Sequence, residues 1–319
     1  MKRFLAAMCC VLLLASCGGR NSAPETVRRA FPLPEVPTMI SSMQERQEYL
    51  GEHYWDRFFE GDWVTDSAAV LGVEDPEVEK NMSTFILILQ GLPMDRAQAD
   101  MARLFRQIED KQAADTSSLV YLRMTELVSK YLYDPNSPLR SEDFYLPFVE
   151  GLAKSRFTDD ARRPGYEFEL RMCSLNPYGS KAPDFGFEDA AGRRSDLYSV
   201  EADYTMLFFS NPGCHYCQEI IETIGGRPYV DDLIADGALA IVNIYIDGEV
   251  DKWREYVGMY PDNWVNAYDY AQRINDEQLY FVRAIPSLYL LDSDKKIIFK
   301  DAPLERVLQF FDNLVNYGR

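Results

Sequence analysis

From about Ser41 to Ser174, apolar residues recur at three- and four-residue spacing, the period of amphipathic helices. The stretch Glu45 to Glu60 carries Tyr49, Leu50, Tyr54, Trp55, Phe58 and Phe59 at that spacing and predicts one helix with an aromatic core stripe. Asp75 followed by Pro76 predicts a helix start, because an acidic cap and a proline at the first helical position both suit the free N–H groups there. That helix runs through Phe85-Ile86-Leu87-Ile88-Leu89 and stops near Gly91-Leu92-Pro93. Further helices are predicted over 94–111, 116–133, 142–154 and about 165–174, with Asp134-Pro135-Asn136-Ser137-Pro138 as a turn. Helices of this length would suit a helical-hairpin array, although no repeat signature accompanies them.

The pattern changes at Asn176-Pro177-Tyr178-Gly179-Ser180, which reads as a domain boundary. Beyond it, 184–192 and 193–197 predict a hairpin with a Gly192 turn. Thr205 to Phe209 and Leu239 to Ile246 are short, almost continuously apolar runs, as expected of parallel strands covered on both faces. A helix is predicted from Gln218 to Ile224, and 253–275 reads as helix, short strand and helix. Ser287 to Leu291 predicts another strand, which turns at Asp292-Ser293-Asp294-Lys295 into 297–300, and Leu304 to Tyr317 predicts a closing amphipathic helix. Strands alternating with helices and ending in a hairpin give an α/β domain behind an all-α one.

Composition narrows the partners. The chain has 319 residues, 47% of them apolar, which suffices for two cores. Its net charge of −18 repels phosphate backbones and argues against nucleic acid and against a face for anionic lipid.

The beginning of the chain reads as a targeting segment. Met1-Lys2-Arg3 is basic, 4–14 is apolar but too short to span a bilayer, and Leu14-Ala15-Ser16-Cys17-Gly18-Gly19 follows. This resembles a bacterial lipoprotein signal, and the resemblance implies removal of the preceding residues and acyl chains on Cys17. More than one chain gives durable anchoring. The bland alternative is an ordinary cleaved secretory signal. Residues 18–37, with Phe31-Pro32-Leu33-Pro34-Glu35-Val36-Pro37, read as a tether. The organisation expected is therefore signal 1–17, tether 18–37, helical domain 38–175 and α/β domain 176–319. Gly18 and Gly19 carry no acidic retention pattern, which favours the periplasmic side of the outer membrane.

Of the six cysteines, Cys9 and Cys10 fall in the signal and Cys17 takes lipid, leaving Cys173, Cys214 and Cys217. Cys173 reads as a small buried side chain and His53 as structural. The close pair stands in Cys214-His215-Tyr216-Cys217, after an apolar strand and the breaker Asn211-Pro212-Gly213 and before a helix. Strand, tight loop, dithiol, helix is an order that places Cys214 at a helix N-terminus, where the partial positive charge favours a thiolate. Cys214 is then the nucleophile and Cys217, one turn further in, the resolving thiol. A zinc site is the competing reading of Cys-x-x-Cys. It needs about four ligands, and only His53, His215 and Cys173 remain to complete one. No metal and no cofactor are expected, because the dithiol is itself the redox centre. His215 either stabilises the Cys214 thiolate or, with Tyr216, shapes the docking surface. Glu219 and Glu222 oppose the first role electrostatically.

Three stretches carry a family resemblance: Phe208-Phe209-Ser210-Asn211-Pro212-Gly213-Cys214-His215-Tyr216-Cys217, then Tyr280-Phe281-Val282-Arg283-Ala284-Ile285-Pro286-Ser287, then Ala182-Pro183-Asp184-Phe185. From about Asn176 to Arg319 the chain resembles the thioredoxin-fold module of TlpA/ResA-like thiol-disulfide oxidoreductases. The resemblance implies a cis Ile285–Pro286 bond facing the dithiol, with the Ile285 backbone pairing a substrate peptide. Sequence alone shows an X-Pro bond, usually trans, that could simply open a strand. Two departures stand out: Phe208 occupies the place of thioredoxin's buried acid, and Gly213 the place of its tryptophan. A peroxiredoxin pattern would want Thr or Ser at Asn211. The 31–174 segment resembles an uncharacterised helical domain found ahead of such modules in Gram-negative lipoproteins, on Leu33-Pro34-Glu35-Val36-Pro37 and Tyr49-Leu50-Gly51-Glu52-His53-Tyr54-Trp55-Asp56.

These readings converge on a lipid-anchored extracytoplasmic enzyme that exchanges disulfides with envelope proteins and is recycled by a separate redox partner. A different class of function, an envelope-binding or scaffold lipoprotein whose helical domain does the work, is the alternative.

Overall fold

The computed structural model describes residues 27–317. Residues 1–17, including Cys17, and the first part of the tether, 18–26, lie outside the described residues.

The N-terminal part is helical. It comprises α1 (Met43–His53), α2 (Asp56–Phe59), a small hairpin of β1 (Ala69–Val70) and β2 (Val73–Glu74), then α3 (Asp75–Gln90), α4 (Met94–Ala114), α5 (Val120–Leu132), α6 (Glu142–Lys154) and α7 (Arg163–Cys173). Ser42 caps α1, its hydroxyl accepting from the Glu45 N–H, and Ser141 caps α6 in the same way from Phe144. Pro76 sits in the first turn of α3, as its position before the apolar run requires. Trp55, Phe58, Phe85, Phe144 and Phe148 fill one core, with Phe31 of the tether stacked on Phe58 at 5.3 Å. The helix expected over 45–60 is instead broken at Tyr54–Trp55 into α1 and α2. Both residues are buried against the same core, and the break lets both sides of the aromatic stripe reach it.

The C-terminal part is a seven-stranded mixed sheet in the order β4-β3-β7-β6-β5-β8-β9. Its elements in chain order are β3 (Gly186–Asp189), β4 (Arg194–Asp196), β5 (Tyr204–Phe209), α8 (His215–Gly225), α9 (Pro228–Ala235), β6 (Leu239–Tyr245), α10 (Val250–Tyr256), β7 (Val265–Tyr268), α11 (Arg273–Asp276), β8 (Ser287–Leu291), β9 (Ile297–Phe299) and α12 (Leu304–Tyr317). Central strand β5 pairs parallel with β6 and antiparallel with β8. Successive residues of β5 face opposite sides, so its continuous apolar run serves two cores. Met206 and Phe208 pack under α8 and α12, with Ile221, Ile224, Val307 and Phe311. Leu207 and Phe209 pack on the other face with Phe185, Ile274, Tyr280 and Tyr289. The fold is thioredoxin-like: a mixed central sheet with flanking helices, behind a helical N-terminal region. Helix α9 and the β1–β2 hairpin have no counterpart in the periodicity, because both are too short to establish a period.

The two parts meet around buried charges. The Lys300 side chain, fully buried, places Nζ 2.6 Å from a Glu142 carboxylate oxygen, and Glu142 is 1% exposed. Arg283 Nε lies 3.0 Å from the other Glu142 oxygen, and its Nη2 donates to Asp301 at 3.0 Å. The Glu142 contacts are ion-pair distances whose angles fall outside hydrogen-bond geometry. Burial pushes the Glu142 carboxyl up, and Lys300 and Arg283 pull it back. Lys300 also donates to the carbonyls of Met172, Cys173 and Leu175, satisfying the C-terminal end of α7 with a cation. Glu142 itself opens α6, at the end of a helix that favours an anion.

Lys300→Met should therefore lower the unfolding free energy by about 3 kcal/mol, because it strips a cation from a buried carboxylate and orphans three carbonyls. Chemical denaturation measures this, and a loss below about 1 kcal/mol, the scale of a surface pair, would contradict it.

Candidate functional site

The dithiol sits at the junction that the sheet builds. Strand β5 ends at Phe209, and the chain turns through Asn211, Pro212 and Gly213 before α8 begins. Gly213 has φ +74°, a conformation that side chains rarely adopt, and a Cβ there would stand 3.8 Å from the Tyr256 hydroxyl. This backbone requirement accounts for glycine where thioredoxin has tryptophan. The turn is tied down by Asn211, whose Nδ2 donates to Asp247 at 2.9 Å, and by the Cys214 N–H donating to the Asn211 carbonyl at 3.2 Å.

Cys214 is the N-cap of α8, with extended backbone, and its sulfur accepts the Cys217 N–H at 3.2 Å. Cys214 and Cys217 are joined as a disulfide, with Cα atoms 5.2 Å apart. Cys217 is 2% exposed, whereas Cys214 is half-buried. One sulfur is therefore reachable from solvent, and it lies where free N–H groups and the helix dipole stabilise negative charge. Attack on Cys214 opens the ring; Cys217 is sheltered behind it.

The other expected site residues divide. His215 is exposed, its Nε2 3.1 Å from Glu219 one turn along α8. Tyr216 is 65% exposed and projects beside the dithiol. The Ile285–Pro286 peptide is cis. Pro286 and Ile285 share a cavity of about 410 Å³ with Tyr216, Glu219 and Ile220. The Ile285 N–H and C=O make no hydrogen bond among the described residues, so its backbone is free to pair. A larger cavity, about 590 Å³ between α4 and α6, is lined by Arg106, Glu109, Glu150 and Lys154 and shares no residue with the one at Ile285–Pro286.

Cys173 is the remaining thiol, free and fully buried, and burial pushes its pKa well up. It packs in the helical core and does not reach the dithiol's cluster. His53 bonds Asp56 at 2.8 Å at the α1–α2 break.

Phe208 is fully buried and meets Trp264 edge-on at 6.1 Å. Beside it on β6 lies buried Asn243, the register partner of Phe208. Its Oδ1 accepts from the Ser210 hydroxyl at 2.5 Å, and its amide donates to Asn266 at 3.0 Å. Sequence reasoning missed this polar chain beneath the dithiol loop; the signal was a single Asn inside an apolar strand, which costs free energy unless paired. It also missed Arg283, two residues before Ile285 and 8% exposed, and the loop 133–141 that walls the cavity.

Comparison with known proteins places this arrangement. A family model described as a domain of unknown function, DUF5106, matches residues 16–176. This chain belongs to the DUF5106 family. The crystal structure of a thioredoxin-like protein from Bacteroides caccae is 34% identical, with 89% of this chain and 98% of that chain covered, at a TM-score of 0.71. That relative spans the helical and sheet parts of the DUF5106 chain together. The C-terminal domain of an uncharacterized protein from Bacteroides fragilis is 39% identical over 43% of this chain and 98% of that one, at 0.42. A thiol:disulfide interchange protein from a Bacteroides species is 20% identical over 46% and 94%, at 0.38. No curated protein matches.

The unequal exposure of the thiols predicts a labelling order. After mild reduction, iodoacetamide on the folded protein should modify Cys214 first, with Cys217 and Cys173 reacting only on unfolding. Mass spectrometry of the alkylated peptides reads the order, and early labelling of Cys173 would contradict its burial.

Proposed function

We propose that this DUF5106 chain is a thiol-disulfide oxidoreductase of the TlpA/ResA kind, held at the cell envelope by lipid on Cys17, which exchanges disulfides with envelope proteins through Cys214 and Cys217. The observation that carries it is the Cys214–Cys217 disulfide at the N-terminus of α8 on a thioredoxin-like sheet, one sulfur open and the other sheltered.

The chemistry follows from that asymmetry. In the reducing direction, the Cys214 thiolate attacks a substrate disulfide, forming a mixed disulfide and releasing one substrate thiolate, which takes a proton from solvent. Cys217 loses its proton and attacks Cys214; the intramolecular disulfide forms and the second substrate thiolate leaves. Two electrons have passed from the dithiol to the substrate. Oxidation of a substrate dithiol runs the same steps backwards, and a separate envelope redox partner resets the pair. Buried Phe208 stands where thioredoxins carry a carboxylate, so no acid at that position takes the Cys217 proton. Thioredoxin-fold dithiols span potentials from about −270 to −120 mV, so direction is set by how far the protein stabilises the reduced form. The reaction needs no metal or organic cofactor.

Cys217→Ala should trap substrates: incubation with envelope extract should give Cys214-linked adducts that dithiothreitol releases, while wild type reduces insulin disulfides. Absence of both adducts and insulin reduction would sink the enzyme reading.

The anchor rests on Met1-Lys2-Arg3, the apolar 4–14 run and Leu14-Ala15-Ser16-Cys17, and the periplasmic side of the outer membrane is the expected address. Cells fed an alkyne fatty acid should label the full chain and lose that label with Cys17→Ala. Labelling that survives the substitution would overturn the assignment.

A further inference from the structure

Building on the dithiol reading, we propose that the loop between α5 and α6 forms the far wall of the substrate groove, which takes an extended cysteine-containing segment of a protein with a lysine or arginine near that cysteine. The helical part would then select substrates for the sheet part.

The cavity that Tyr216, the residue between His215 and Cys217, brings next to the dithiol is composite, and its lining stops short of the two cysteines. One side is Tyr216, Glu219 and Ile220 of α8, and its floor is Ile285 and Pro286. The opposite side is Pro135, Asn136 and Pro138, which belong to the helical part. All three loop residues are exposed, so the helical core does not need them. Their positions are nevertheless fixed. The Asn136 N–H donates to Asp134 at 2.8 Å, and the Ser137 hydroxyl donates to the Tyr131 carbonyl at 2.6 Å. Arg140 donates from Nε to the Asp301 carbonyl at 3.0 Å, and Arg283 bonds the Tyr133 carbonyl from the sheet side. The wall is thus bolted to the segment before β8, the strand that follows Ile285–Pro286, and to the segment after β9.

The occupant follows from the groups left open. A free N–H and C=O on Ile285, immediately before a strand, suit the main chain of an extended peptide. Prolines and Ile220 on the walls offer apolar contact without competing N–H groups. The charge is acidic: Glu219, whose other neighbour is His215 at 3.1 Å, and Glu305 are exposed at the cavity, and Glu305 pairs with no cation among the described residues. Arg140, the basic group on the wall, is already committed to Asp301 at 3.7 Å. A basic side chain close to the substrate cysteine complements that set.

The test uses the Cys217→Ala protein and short peptides whose single cysteine is activated as a thionitrobenzoate mixed disulfide. The Cys214 thiolate attacks the peptide sulfur, the peptide–Cys214 disulfide forms and coloured thionitrobenzoate leaves. Activated free cysteine gives the baseline. A lysine-bearing peptide should react about fivefold faster than its glutamate counterpart, and adding Asn136→Trp should lower the peptide-over-cysteine rate ratio about fivefold. An unchanged ratio overturns the wall, and equal rates for the two peptides overturn the charge preference, with the dithiol reading standing in both cases. A Cys214 that reacts with neither peptide nor activated cysteine overturns the dithiol reading and the groove with it. Should Asn136→Trp misfold, the unsubstituted loop still decides: coupling the lysine peptide should shift the Asn136 amide resonance, and an unmoved resonance overturns the groove.

Discussion

The contact on which the rest of the molecule depends is the ion cluster of Glu142 with Lys300 and Arg283, closed by Asp301. Burying a carboxylate costs several kcal/mol, and each cation beside it costs a similar amount alone. The cluster is tolerable only with all its members in place, so it acts as a registration device between the helical part and the sheet. Each partner does a second job. Lys300 satisfies the carbonyls that end α7, Glu142 opens α6, and Arg283 reaches back to the end of α5. Asp301 holds Ser287, the first residue of β8, at 2.8 Å. Slipping the two parts past one another would strand all of these at once.

That registration bears on the chemistry because Arg283 and Ser287 bracket Ile285–Pro286. On one side of the cleft, the sheet sets the dithiol: β5 delivers the chain to a glycine turn, and α8 begins at Cys214. On the other, the ion cluster sets the segment that faces it. The backbone that would hold a substrate is then placed by charges immediately flanking it and the dithiol by the packing of the sheet, and placement of that kind is what positioning contributes to a reaction.

The sequence revealed the parts of this arrangement that obey a period or a local rule. Parallel strand β5, the helix opening at Asp75-Pro76 and the placement of Cys214 before Cys217 on a helix start all follow from spacing, and the structure has them within a residue or so. The break at Tyr54–Trp55 was not legible, since the aromatic spacing is the same whether or not the helix bends to bury both its flanks. Neither was the use of charge. Glu142 and Asp143 stand at the start of the helix expected over 142–154 and Lys300 at the end of the strand expected over 297–300, positions whose periodicity carries no sign of burial, yet Glu142 and Lys300 are among the most buried side chains present. Periodicity reports which face of an element is apolar; it carries nothing about a pair of opposite charges brought together from positions far apart in the chain. The Ser210–Asn243–Asn266 chain escaped for the same reason, its partners lying on neighbouring strands.

A thioredoxin-like sheet by itself offers a substrate little beyond the sulfur, a few side chains of the dithiol helix and one stretch of free backbone. Main-chain pairing of this kind holds any extended peptide, so it supplies affinity with little discrimination. Discrimination needs side chains at a defined distance from the reacting sulfur, on an element that does not move when the peptide arrives. A flexible insertion would spend ordering entropy on each binding event. A loop held at both ends by arginine bonds to the sheet does not, and the helical core behind it supplies the rigidity. The fused helical part is thus understandable as more than a spacer: its packing fixes the loop, the buried ions fix its register, and the groove between loop and dithiol gains a selective wall at no further cost in order.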